Sequence, residues 1–177
     1  MDVTQGKLTI GLDVHLNSEE QKYDVTLYNA ILGGTANSKM FQEVREKASL
    51  AYTAGSSYIR AKSNIFVKCG IDIKNYEKAM EIICKQLEDM KNGIFTDEDI
   101  ENAKKGIISS IKSIDDEQDT EITYFFGQEL GENKTSLEQY IEKIQKVSKE
   151  DIMKVAKSVT VNTVYFLKDN SSAKGDK

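Results

Sequence analysis

Residues 7–15 alternate strictly between apolar and other side chains. Leu8, Ile10, Leu12 and Val14 are apolar, while Lys7, Thr9, Gly11, Asp13 and His15 are not. A period of two sends successive side chains to opposite faces, which predicts a half-buried strand. The pattern returns at Ile65, Val67, Cys69, Ile71 and Ile73, interleaved with Phe66, Lys68, Gly70 and Asp72. Residues 50–59 form a small and aromatic run just before it. The short stretch 60–64 between the two is predicted to be the turn of an antiparallel hairpin. A last β-rich run extends from Val159 through Tyr165, Phe166 and Leu167.

Between these runs the apolar period changes to that of a helix. Tyr23, Leu27, Ala30 and Ile31 share one helical face, and Met40, Phe41 and Val44 another. Tyr76, Ala79, Met80, Ile83, Leu87 and Met90 recur at steps of three and four, up to a stop near Gly93. Four pairs have the form of a capping box: Ser18 with Gln21, Thr96 with Asp99, Ser136 with Gln139, and Ser148 with Asp151. Gly33 and Gly34 are expected to end the first helix, because glycine accepts the left-handed conformation common at helix C-termini. The chain contains no proline, which suits long helices and paired strands. The resulting order, β-α-α-β-β-α-α-α-α-α-β, predicts an α+β fold with one mainly antiparallel sheet and helices on one face. The 177 residues suit one domain, expected over residues 1–169, followed by a disordered tail at 170–177.

Composition excludes several functions. The net charge is −5 with basic residues scattered among acidic ones, so no stripe for nucleic acid exists. No apolar run approaches the ~20 residues of a membrane helix. Cys69 and Cys84 suit a reducing compartment, and the expected location is cytoplasmic. The single histidine, His15, falls on the polar side of the first strand, so no metal site is expected on this chain. A Ser-His-Asp or Cys-His centre would need that same histidine as its base, and no serine lies in a G-x-S-x-G turn. Residues 33–39 have only a superficial likeness to a phosphate loop, since they follow a helix and lack the second glycine before Lys39. The acidic run at 115–119 lacks the pattern of a calcium loop and is expected to be a solvated connection. No self-contained catalytic centre emerges.

Residues 32–52 carry a denser signal: Gly33-Gly34, then Ser38, Met40-Phe41, Arg45-Glu46 and Leu50-Ala51-Tyr52. This resembles the C-terminal-half signature of the M16 zinc peptidases, the family of pitrilysin, insulin-degrading enzyme and mitochondrial processing peptidase. The likeness continues at residues 5–11, at 96–104 and at 140–152, so it covers nearly the whole chain.

The resemblance implies a half-domain. In such enzymes two similar α+β halves close around a chamber. The N-terminal half binds zinc through a His-x-x-Glu-His motif, and the C-terminal half has no zinc ligands and grips substrate. This sequence has no His-x-x-Glu-His and matches only the second half. The resemblance therefore implies zinc in the complete enzyme, an N-terminal catalytic half as partner, and a peptide as substrate. Arg45 and Tyr52 match the family's substrate-gripping pair. The residues alone leave plainer roles open, Arg45 pairing with Glu43 or Glu46 and Tyr52 packing in a strand. Ala48 and Ser49 depart from the family pattern, which often has a basic or polar residue and then a glycine. The alternative function is a non-catalytic peptide-binding or assembly subunit of the same fold. A half separated from its mate is expected to self-associate. With the opening strand so near Met1, that methionine is expected to be a cloning start.

Overall fold

The computed structural model describes residues 5–116, 118–130 and 135–168. The tail expected at 170–177 and the start at Met1 lie outside them. Strand β1 (Gln5–Val14) leads into α1 (Gln21–Asn29), which widens into a π-helical turn over Ala30–Gly34. A second short helix ends in a π segment, Phe41–Lys47, and gives way to the hairpin of β2 (Ala51–Ile59) and β3 (Asn64–Asp72). Five helices follow: α2 (Tyr76–Lys91), α3 (Asp97–Lys112), α4 (Gln118–Leu130), α5 (Leu137–Lys146) and α6 (Lys149–Ser158). The last strand is β4 (Val159–Leu167).

The four strands form one sheet in the order β2-β3-β1-β4, with every pairing antiparallel. The α+β architecture is as the alternation predicts. Leu8, Ile10, Leu12 and Val14 are buried together with Ile65, Val67, Cys69 and Ile71 on the face that meets the helices. Tyr23, Leu27, Tyr28, Ile83, Met90, Ile144, Ile152 and Val155 supply the other side of the same core.

Three of the four capping boxes form, at Thr96, Ser136 and Ser148, each with its reciprocal pair of backbone and side-chain bonds. The pair at Ser18 and Gln21 does not. There the chain turns before the helix, with Gln21 N–H donating to Ser18 O at 3.3 Å and Lys22 N–H to Glu19 O at 3.2 Å. Backbone carbonyls thus satisfy the free donors that a cap would have served. Gln21 Oε1 instead accepts from Asn17 N–H at 2.6 Å.

The two predicted helix stops differ in cause. Gly93 has φ +71°, and the bonds Ile94 N–H to Asp89 O and Gly93 N–H to Met90 O close a Schellman turn. Gly33 and Gly34 are not left-handed, which corrects the expectation for that pair. Gly33 is needed for close approach. A Cβ there would lie 2.5 Å from the backbone nitrogen of Ser56, and one at Gly55 would lie 3.0 Å from Gly33 O. The end of α1 rests directly on β2, and Ser56 Oγ donates to Asn29 Oδ1 at 2.7 Å across the seam.

Candidate functional site

Tyr52 owes its position to an irregularity in the hairpin. Ala51 lies opposite Ile71 and Thr53 opposite Gly70, so Tyr52 is an extra residue in β2 with no partner in β3. A bulge of this kind re-aims a side chain, and Tyr52 is 69% exposed. Plain strand packing, one of the two readings open in the sequence, does not describe it.

The phenol borders a pocket of about 580 Å³ whose walls include Gln5, Lys7, Thr53, Lys68 and Cys69. Gly70 forms part of the wall, donating its N–H to Thr53 Oγ1 at 3.2 Å. Lys7 and Lys68 are exposed, giving the pocket a cationic rim. Burial in the core pushes the Cys69 thiol up to about 11, so it stays neutral, and it faces the helices and meets the pocket through its backbone. Sequence reasoning passed over Lys7, Lys68 and Thr53. Their only signal was membership of the polar set on alternating strands.

Arg45 projects from the preceding helix and is not among the residues lining that pocket. Its Nε lies 3.7 Å from Glu46 Oε1, and its guanidinium sits 4.6 Å from the centre of the Phe41 ring. The pairing with Glu46 left open in the sequence is therefore present, while Glu43 is engaged by Lys47 at 2.6 Å. The Arg45 side chain remains 44% exposed, so this pairing does not remove it from solvent or from a ligand.

The turn between Arg45 and Tyr52 is strained at one point. Ser49 has φ +52°, a conformation that costs a residue with a Cβ about 1 kcal/mol. Ser49→Gly should therefore raise the unfolding free energy by about 1 kcal/mol, read by chemical denaturation. An unchanged or lower midpoint would show that the serine is not strained there. The glycine of the resembled pattern has its physical reason at this position.

A larger cavity of about 800 Å³ lies at the other end of β2, among Tyr23, Tyr58, Tyr124, Tyr140 and Arg60. Arg60 Nη2 donates to the Tyr140 hydroxyl at 2.8 Å, and the Tyr23 ring stands edge-on to Tyr140 at 5.0 Å. These contacts tie the hairpin turn to α1 and α5. Among the described residues, no group of three or more His, Cys, Asp or Glu side chains is arranged to hold a metal ion. A zinc ion does not fit the described residues. Likewise, no helix among them is long and apolar enough to cross a membrane.

Residues 1–107 match the family model described as the peptidase M16 inactive domain. The chain belongs to the peptidase M16 inactive-domain family. It is 36% identical over 173 residues to the "Probable inactive metalloprotease YmfF" of Bacillus subtilis, covering 97% of this chain and 41% of that protein. The structure of a conserved protein from Enterococcus faecalis superposes with a TM-score of 0.89 at 26% identity, over 97% of this chain and 41% of that one. A peptidase M16 inactive domain from Pseudomonas fluorescens shares the fold, with a TM-score of 0.72 at 18% identity over 91% of this chain and 41% of that one. This M16 inactive domain thus spans about two-fifths of the length of each of these relatives.

Proposed function

We infer that this domain is the substrate-gripping half of an M16-type metallopeptidase and closes over an extended peptide presented to a zinc-bearing N-terminal half. The observation that carries this is the bulge at Tyr52, which holds a hydrogen-bonding phenol out of an otherwise regular strand, at the rim of a pocket on the helix-free face of the sheet. Arg45, on the adjoining helix, supplies a charged donor. Both are donors suited to a peptide carbonyl and to the oxyanion that forms from it when the bond is attacked. Zinc, held by the other half, would provide the activated water. The pair would assemble into one site only when that half and the peptide are present. The free cysteines Cys69 and Cys84 fit the cytoplasmic location that belongs with this reading.

The second reading is a binding or assembly subunit without hydrolysis. The name of the Bacillus subtilis relative, "Probable inactive metalloprotease YmfF", favours it. The two readings separate on one assay. The complete gene product is expected to cleave an unstructured peptide and to stop when a chelator removes its metal, while this chain alone is expected to cleave nothing. A complete product that binds the peptide without cutting it would decide for the second reading. Cleavage by this chain alone would overturn both.

A further inference from the structure

Among the described residues, β4 closes one edge of the sheet and pairs only with β1. An edge strand in a soluble protein is ordinarily blunted by charge, by proline or by a covering segment. From Val159 to Leu167 the residues are Val, Thr, Val, Asn, Thr, Val, Tyr, Phe and Leu, with no charge among them. Four of the apolar ones are in solvent: Val161 at 51% exposure, Val164 at 39%, Tyr165 at 59% and Leu167 at 51%.

The register divides these side chains between both faces of the sheet. Val164 lies opposite Ile10 on the helix side, and Tyr165 and Leu167 lie opposite Thr9 and Lys7 on the open side. Ile10 is fully buried while Val164 beside it is not, so the helical layer, which reaches β4 at Val159 and at Phe166 stacked on Tyr76, leaves the middle of the strand uncovered. The other edge, β2, is built differently. Its inward residues Ala54, Ser56 and Tyr58 lie half-buried against the helical layer, and its outward Thr53 and Ser57 are polar, with Ile59 an exposed apolar residue at the strand's end. One edge is finished, and β4 has the composition of a strand from the middle of a sheet.

We propose that β4 is an interior strand of the complete protein, and that its free edge receives a further β-strand from another part of the same, longer polypeptide. The stretch that receives it is Thr163 to Leu167, because Asn162 is a bulge, pinned through its Nδ2 to Asp13 Oδ2 at 2.7 Å, that breaks the ladder before it. The incoming strand carries apolar residues on both faces and brings a covering segment over Val161 and Val164. The source lies in the relatives, in which this domain accounts for 41% of the length and so leaves ample chain for both elements. A second copy of this chain fits less well. Two β4 edges paired about a two-fold axis would join the sheets but leave a trough over Val161 and Val164 of each copy, where neither helical layer reaches.

The proposal rests on the reading of this domain as part of a longer protein, and not on Arg45 or Tyr52. Amide hydrogen exchange tests it. In the complete gene product, those amides of residues 163–167 that point away from β1 are expected to exchange at least about 100-fold more slowly than in this chain alone at low concentration. Equal exchange in the two would overturn the proposal. Protection that appears in this chain only as its concentration rises would assign the edge to a second copy instead. A second readout uses the complete product alone. Val164→Lys is expected to lower its melting temperature by at least about 5 °C, because a lysine there would be covered. An unchanged melting temperature would mean that β4 stays open. Loss of peptide cleavage in variants of Arg45 or Tyr52 leaves both readouts unmoved, so the two accounts fail separately.

Discussion

Arg45→Ala in the complete gene product is expected to slow peptide cleavage ~100-fold, equivalent to about 3 kcal/mol of lost transition-state stabilisation. Tyr52→Phe, which removes only a hydroxyl, should fall in the same range. The physical ground is that neither side chain has a large structural task. Arg45 is nearly half exposed, and its ion pair with Glu46 spans 3.7 Å at the surface, where such pairs contribute about 0–1 kcal/mol. Tyr52 is more than two-thirds exposed, and phenylalanine preserves what ring packing it has. The melting temperature and metal content should therefore stay constant while turnover falls. Arg45→Lys should recover only part of the loss, because an ammonium keeps the charge but not the planar fork of donors. Unchanged turnover in both Arg45→Ala and Tyr52→Phe would remove these residues from the site. A fall in turnover matched by a fall in stability would mean a structural role.

Gly33→Ala should destabilise the domain by about 3 kcal/mol, the upper range for forcing a methyl into a filled contact. In a domain of this size that is a fall of about 6–12 °C in melting temperature. The added methyl would meet the Ser56 backbone nitrogen and Oγ at 2.5 Å, and the backbone of a paired strand cannot swing aside as a flexible side chain can. Relief requires the end of α1 to lift from β2, which opens the hydrogen bond between Ser56 and Asn29. Gly106→Ala is the matching control. That glycine is exposed within α3 with nothing inside 4 Å of the added carbon, so helix propensity alone should act and stability should rise by about 0.5–1 kcal/mol. Equal effects at the two positions would show that the helix-to-strand contact at Gly33 is looser than described.

These two sites also mark where sequence stops being informative. The strands were legible because β1 and β3 hold their period of two along their length, and burial follows it at every position but Gly70. The caps at Thr96, Ser136 and Ser148 were legible because such a box is a local device, complete within four residues. Ser18 and Gln21 have the same letters, but the chain leaving β1 has already begun to turn, and backbone carbonyls take the donors first. The role of Gly33 depends on β2, more than twenty residues away, so no local rule could separate close approach from a left-handed stop.

The same division runs through the candidate site. Arg45 and Tyr52 were found by resemblance, since nothing in their periodicity singles them out. The bulge that turns Tyr52 outward is a mismatch between two strands and cannot be read from either one. Lys7 and Lys68 come together because β1 and β3 pair, and in sequence they are two unremarked lysines 61 residues apart. The unfinished edge at β4 was hidden for the opposite reason. An apolar strand reads as an interior one, and only the sheet order places it at a margin.

Native mass spectrometry of the gene product purified from its own cells tests the central claim, that this domain is the metal-free half of a zinc enzyme. The expected product is a polypeptide of at least about twice 19.9 kDa, as two domains of this size require, carrying bound zinc. A partner chain of similar size that carries the zinc and co-purifies would support the same claim for separate subunits, though the strand proposed to complete the sheet would then have to come from another chain. A product of 19.9 kDa that holds no zinc and brings down no zinc-bearing partner would contradict it.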